Sequence, residues 1–422
     1  MALKVAVIGG GSTYTPELVD GFARRQEVLP VEELVLHDID RKRLDVVGGL
    51  AGRILERAGF GGRLGLTTDR AEAIEGADFV LVQLRVGGLA ARAVDETLPQ
   101  RFGMIGQETT GAGGFAKALR TVPVVLEIAE QTAAIASDGA WLLDFTNPAG
   151  LVTQALADHG HRAIGLCNIP IGFQRELAGR LGVEPARVQL EHVGLNHLSW
   201  ERRVLVDGRD RLPELIEAHA DELGEEAGAP GELVRLLGAI PSYYLRYFYF
   251  TDEALSAQRE GGTRAEEVMR IERELLGMYA DPALDVKPKL LEQRGGAFYS
   301  EAAAMLMESL HDDRGDVQVV NVRNDGAIPN LAGDAVVEVA CRIDREGAHP
   351  LPVEPLAPEM LGLVEQIKAY ERLTVTAAVN GDRDAALKAL MANPLTSGYR
   401  RSVELLDALL EANGRYLPRF FA

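Results

Sequence analysis

The sequence predicts an α/β fold in which a doubly wound parallel sheet over residues 1–170 is followed by an α+β domain over residues 171–422. Three observations predict it. Residues Leu3–Ile8 are a short apolar run rich in β-branched side chains that ends at Gly9-Gly10-Gly11. Runs of the same kind recur down the first part of the chain with helical stretches between them. Beyond about residue 170 that alternation gives way to helices mixed with pairs of adjacent strand-like segments.

A strand that ends in a glycine turn with Pro16 just beyond it reads as strand, turn and helix. Leu34-Val35-Leu36 ends at His37-Asp38-Ile39-Asp40; Phe79–Leu84 and Trp141–Asp144 repeat the pattern; Ala163–Leu166 ends at Cys167. Such alternation predicts parallel strands joined by crossover helices, a Rossmann-like sheet that binds ligands beyond the carboxyl ends of its strands. In the second region, residues 188–193 against 198–206 and 317–323 against 335–343 are predicted antiparallel pairs. Helices are predicted over residues 264–279, 301–310, 360–371 and 402–411. There is no internal repeat and no Pro/Gly/Ser-rich linker, so the two regions are expected to pack broadly with a cleft between them.

At 422 residues the chain exceeds the size at which a single hydrophobic core stops growing, so two domains are expected. Hydrophobic residues at 47% and charged residues at 25% are ordinary for a globular protein and argue against long disorder. The net charge of -19 disfavours nucleic acid and anionic membranes as partners, and a phosphorylated ligand would need a local group of Arg. Cys167 and Cys341 are too few for a disulfide framework, which predicts a reducing compartment. The opening Met-Ala-Leu-Lys-Val-Ala-Val-Ile-Gly runs straight into a strand pattern, without the features of a secretory signal. No apolar run approaches the roughly 20 residues needed to span a bilayer. A cytoplasmic location is expected.

Gly9 and Gly11 fit the first two glycines of a G-x-G-x-x-G turn, with Ser12 and Thr13 in the same turn and Tyr14 at the third position. Glycines there let the backbone approach a pyrophosphate at a helix N-terminus. Asp38, at the end of the second strand and 27 residues after Gly11, is placed to bind the ribose 2′-hydroxyl of NAD and to repel the 2′-phosphate of NADP. The competing readings are an ordinary strand-to-helix turn, and for Asp38 a helix cap, since Arg41 opens a helix.

Cys167 and His197 lie thirty residues apart, the first at a strand end and the second in Gly194-Leu195-Asn196-His197. A thiolate and an imidazole suit Mn²⁺, Fe²⁺, Co²⁺, Ni²⁺ or Zn²⁺ and leave coordination positions open for substrate oxygens. Taken alone, a Cys is more often a small buried hydrophobe and a His more often a satisfied hydrogen-bonding residue.

The strings Ile8-Gly9-Gly10-Gly11-Ser12, Arg85-Val86-Gly87-Gly88, Ile105-Gly106-Gln107-Glu108-Thr109-Thr110-Gly111, Thr146-Asn147-Pro148, Cys167-Asn168-Ile169-Pro170, Gly194–His197, Tyr244-Leu245-Arg246-Tyr247 and Arg294-Gly295-Gly296-Ala297 together resemble the family-4 glycoside hydrolases. They stand in that family's order and span most of residues 1–310. The family is an established exception to two-carboxylate glycosidase chemistry. The resemblance implies an enzyme dependent on NAD and on a divalent metal, with Mn²⁺ the expected ion. In that family the sugar is oxidised at C3 by bound NAD⁺, which acidifies the C2 proton, while O2 and O3 are held by the metal. A tyrosinate takes the proton, the group at C1 is eliminated, water adds, and the hydride returns.

By matching strings, Cys167 and His197 are implied as metal ligands, Tyr244 as the base, and Glu108 as the acid group that tunes it. A tyrosine of ordinary pKa about 10 needs help to act as a base at neutral pH. The competing reading makes Tyr243, Tyr244, Tyr247 and Tyr249 an aromatic packing face, with Tyr243 the alternative base. Arg92, Asn147 and Arg264 match substrate-contacting positions, and Arg suits a phosphate because its planar fork can donate two parallel hydrogen bonds. Arg85 and Arg294 receive no role.

Asn168, directly after the ligand Cys, resembles the branch acting on 6-phospho-β-glucosides, whereas relatives acting on 6-phospho-α-glucosides carry Asp there. The resemblance also implies a homodimer or homotetramer. Two other functions are open to the residues: an NAD-dependent hydroxy-acid dehydrogenase, and a non-enzymatic NAD-sensing regulator. The first needs no Cys–His pair, and the second gives Cys167, His197 and Tyr244 no purpose.

Overall fold

In the computed structural model of the chain the predicted alternation builds a nine-stranded sheet. Its strands are β1 (Leu3–Ile8), β2 (Val31–His37), β3 (Arg63–Thr67), β4 (Phe79–Val82), β5 (Trp141–Asp144) and β6 (Ala163–Gly165). Residues 3–296, 298–396 and 398–421 are described. Met1 and Ala2, where the N-terminal reading begins, and Ala297, which ends the Arg294 string, lie outside the described residues, as do Ser397 and Ala422.

β1 pairs in parallel with β2 on one side and β4 on the other, and β2 pairs with β3, β4 with β5 and β5 with β6 in the same sense. The strand order changes direction at β1, and the Gly9–Gly11 turn leaves β1 at that crevice, where open α/β sheets bind ligands. β1 and β4 are almost wholly buried, as strands covered by helices on both faces must be. Helix Thr15–Arg24 starts on Pro16, whose fixed φ suits a first turn, and helix Arg41–Arg57 is capped by Asp40, which accepts from Arg43 N at 3.1 Å. Asp40 is therefore the cap, and Asp38 is left for another role.

The second region contributes β7 (Val188–Leu195), β8 (Leu198–Val206), β9 (Arg209–Asp210) and β10 (Ile240–Pro241), which form a separate antiparallel sheet. β11 (Asp316–Arg323), β12 (Val336–Asp344) and β13 (Gly347–Pro350) instead extend the first sheet beyond β6, through an antiparallel contact of Asn321 with Gly165. Both predicted antiparallel pairs form, and the second of them is part of the parallel sheet's edge rather than of an independent layer. The larger core likewise runs from Leu3 to Leu417 and crosses residue 170, while a smaller one, Leu177 to Ile240, packs under β7 and β8. The predicted helix over 264–279 has the bounds Arg264–Tyr279, fixed by a Thr263/Glu266 capping box; that over 360–371 extends to Pro358–Asn380. No helix among the described residues is long and apolar enough to cross a membrane.

Candidate active site

The turn after β1 is built for close approach. Gly9 has φ +94°, and a Cβ there would stand 2.8 Å from Gln83 O; one on Gly11 would stand 2.7 Å from Asp38 Oδ2. Gly11 N donates to Asp38 Oδ2 at 2.9 Å and Asp40 N to Oδ1 at 3.0 Å, so both carboxylate oxygens are oriented at the end of β2. A half-exposed carboxylate beside a glycine turn is the arrangement that recognises a dinucleotide ribose. Thr13 is buried, with its hydroxyl 3.0 Å from Glu272 Oε1 and accepting from Arg294 Nε at 2.6 Å. Ser12 Oγ lies 3.5 Å from Arg294 Nη2. Glu272 is shared with Arg43, whose Nε donates to Gly11 O at 2.6 Å. Arg294, which the sequence left without a role, thus places a guanidinium at the turn after β1. Tyr14, the departure from the third glycine, hydrogen-bonds Gly296 O and stacks edge-on against Tyr299.

Cys167 and His197 come together with Sγ and Nε2 3.8 Å apart, a separation one divalent cation can bridge. Cys167 lies between β6 and helix Ile169–Leu181, and the N–H groups of Asn168 and Ile169 donate toward its sulfur. Burial, and then Glu338, push the thiol pKa up, against those donors and the Asn196 amide. His197 occupies the two-residue turn between β7 and β8 with φ +62°. Its Nδ1 lies 3.1 Å from Thr109 Oγ1, whose own proton goes to Gln107 Oε1 at 2.8 Å. Nδ1 is then the N–H, and Nε2 presents its lone pair to the sulfur. Burial lowers the His197 pKa to about 4, so the ring is neutral at pH 7. Among the described residues no third His, Cys, Asp or Glu joins the two to make a larger ligand group.

Tyr244 lies flat on His197, with ring centroids 3.8 Å apart and planes 7° from parallel. Tyr243 is 41% exposed, its ring under Arg246, and has no such contact. Burial, Cys167, Tyr247 and Glu108 all raise the Tyr244 pKa, and Arg92 opposes them. Glu108 is gripped by Arg85, by Lys117 Nζ at 2.9 Å and by Arg92 Nη1 at 3.1 Å. Burial pushes the Glu108 carboxyl up, but Arg85, Lys117 and Arg92 outweigh it and hold the group well below the usual range. Its charge therefore favours the protonated phenol, and Arg92, one of the cations it gathers, favours the phenolate. Arg85, also left without a role by the sequence, is another of the cations around Glu108.

Arg92 also pairs with Glu96 Oε1 at 2.7 Å, and Glu96 Oε2 accepts from Ala265 N at 2.8 Å, tying the start of helix Arg264–Tyr279 to this cluster. Arg264 itself is exposed, paired with Glu267 and donating to Gln293 O at 2.8 Å. Asn147 follows β5 and hydrogen-bonds Tyr299, and Asn168 stands between Cys167 and its helix.

Models of the family 4 glycosyl hydrolases match residues 4–183 and, for the C-terminal domain, 192–396. A probable 6-phospho-beta-glucosidase of Bacillus subtilis is 45% identical, covering 99% of this chain and 98% of its own. This chain belongs to glycosyl hydrolase family 4. Within that family the 6-phospho-beta-glucosidase of Escherichia coli is 38% identical over 99% of this chain and 97% of its own. The solved 6-phospho-beta glucosidase from Thermotoga maritima, with manganese, NAD+ and glucose-6-phosphate, superposes with a TM-score of 0.92 at 35% identity, covering 98% of this chain and 99% of that one.

Sequence reasoning missed Lys117, Arg43, Glu272 and Glu338, which reach their partners across 9 to 259 positions of sequence. Only Arg85 and Arg294 carried a signal, their place in the matching strings.

Proposed function

We propose that this chain hydrolyses 6-phospho-β-glucosides by transient oxidation at C3, elimination across C1 and C2, addition of water and re-reduction. The observation that carries the reading is the convergence of Cys167, His197 and Tyr244 beside the Gly9–Asp38 dinucleotide turn. The relatives named above support the phosphorylated β-glucoside as substrate class. Gly9, Gly11, Ser12, Thr13 and Asp38 would hold NAD, which when bound supplies a hydride acceptor. Cys167 and His197 would hold a divalent ion, Mn²⁺ by likeness to the Thermotoga complex, which when bound supplies Lewis-acid stabilisation of sugar oxygens.

Tyr244 takes the C2 proton, assisted by the charge of Arg92 and restrained by the Glu108 carboxylate. Arg92, Asn147, Asn168 and Arg264 bind the sugar phosphate; for the two arginines this requires exchanging carboxylate partners seen in the structure for phosphate oxygens. Residues 1–170 serve NAD binding and 171–422 supply the substrate, metal and subunit contacts of a homodimer or homotetramer. Two buried, unpaired cysteines, one needed as a thiolate, support a reducing cytoplasm. A hydroxy-acid dehydrogenase or an NAD sensor leaves the Cys167–His197–Tyr244 arrangement unused.

Aryl 6-phospho-β-glucosides are expected to be cleaved with added NAD⁺ and Mn²⁺, their unphosphorylated forms far more slowly, and many turnovers should leave NAD⁺ unchanged. NADH accumulating in step with product would identify a dehydrogenase instead. A second expectation concerns Asp38. Replacing it by Ser removes an anionic acceptor worth about 1.5–3 kcal/mol, so NAD⁺ affinity should fall by roughly 10- to 100-fold. NADP⁺ affinity should rise relative to it, and an unchanged NAD⁺/NADP⁺ ratio by fluorescence titration would remove the assignment.

A further inference from the structure

Beneath the Cys167–His197 pair lies a buried group of charges that the reaction does not use. His192 on β7 has Nδ1 2.6 Å from Glu201 Oε1 and Nε2 3.0 Å from Glu338 Oε2, and all three side chains are at most 1% exposed. Burial alone would deprotonate His192, but the two carboxylates push its pKa up to about 10, so it stays an imidazolium. The other Glu338 oxygen accepts from Asn196 Nδ2 and from Asn321 Nδ2, each at 2.9 Å. Asn196 adjoins His197 in the turn between β7 and β8, and its amide also hydrogen-bonds the sulfur of Cys167. Gly150 N donates to Asn196 Oδ1 at 3.4 Å, which fixes the face of the amide.

Buried ion groups add little to stability compared with apolar packing of the same volume. This one instead joins three separate pieces of chain. Cys167 follows β6 in the large sheet, Asn196 and His197 belong to the small sheet, and Glu338 on β12 clamps the second to the first.

We propose that Glu338 is a positioning residue for metal binding, holding the Asn196 amide against Cys167 and so setting the Cys167–His197 geometry. The inference rests on the reading that these two residues hold the metal. His192, held on its other ring nitrogen by Glu201, is the counter-charge that keeps Glu338 in place.

The test is Mn²⁺ affinity of the full chain, followed by electron paramagnetic resonance of the free ion, with NAD⁺ affinity and the melting temperature measured on the same samples. Loss of an outer hydrogen-bond partner costs about 10- to 100-fold in metal affinity, and Glu338→Gln is expected to weaken Mn²⁺ by that factor while NAD⁺ binding is retained. Asn196→Ala should weaken it comparably, and the double variant by less than the product of the two, as coupled positions do. Glu338→Gln binding Mn²⁺ within about two-fold of wild type would overturn the proposal, as would equal losses of Mn²⁺ and NAD⁺ affinity. If Glu338→Gln does not fold, Asn196→Ala decides by the same two-fold limit. Equal Mn²⁺ binding by wild type and Cys167→Ser is a different result: it removes the metal pair itself.

Discussion

Cys167→Ser is expected to abolish manganese-supported turnover, with kcat/KM falling on the order of 10³-fold or more, because a Lewis acid at the reacting oxygens is worth several kcal/mol. Serine keeps the size of the side chain but offers a hydroxyl that does not ionise near neutral pH. The N–H groups of Asn168 and Ile169, which stabilise a thiolate, then face a neutral group. His197 alone, with Nε2 lacking its partner 3.8 Å away, gives a site of one protein ligand. Chelation of the wild-type enzyme should have the same effect and be reversed by Mn²⁺, whereas the variant should show no rescue at any Mn²⁺ concentration. Cys341→Ser is the control, since Cys341 is buried on β12 with its thiol on Val339 O and no part in the site. Full activity of the wild type in excess chelator, with no metal bound by elemental analysis, would remove the Lewis-acid role.

The strands that position this site were legible because each is short, apolar and followed by a chemically distinctive end: Gly9 after β1, Asp38 after β2, Asn147 after β5, Cys167 after β6. β3 was not. Arg63-Leu-Gly-Leu-Thr is an edge strand, half-exposed along most of its length, and an edge needs no continuous apolar run. The pairing of residues 317–323 with 335–343 was readable from two adjacent strand-like segments, but not its place at the end of the parallel sheet. That is settled by one long-range contact, Asn321 with Gly165, which no local pattern encodes.

Cys167, His197, Tyr244 and the Gly9–Asp38 turn, which the structure gathers together, stood out through strings that match a family. The groups that tune them did not, for a physical reason. Glu338, Lys117 and Glu272 are buried charges whose partners come from other elements, and a buried Glu looks in sequence like any solvated one. Arg92 shows the converse: its match to a substrate-contacting position suggested a phosphate ligand, and the structure finds it already between Glu96 and Glu108.

Tyr244→Phe is expected to lower turnover by a factor on the order of 10² to 10⁴, the usual range for a lost general base. The substitution removes only the hydroxyl, so the ring can remain stacked 3.8 Å over His197 and the fold should not change. If Tyr244 takes the C2 proton, wild-type reaction in D₂O places deuterium at C2 of the released sugar phosphate, which direct displacement at C1 cannot do. In the variant, hydride loss from C3 should persist in a single turnover, read as nicotinamide absorbance, while C2 exchange is lost. Substrate deuterated at C2 should slow the wild type if that cleavage limits the rate. Tyr243→Phe should stay near wild type, because its ring is 41% exposed beneath Arg246 and makes no contact with His197. Product without deuterium at C2 would overturn elimination, and an active Tyr244→Phe beside a dead Tyr243→Phe would move the base by one residue.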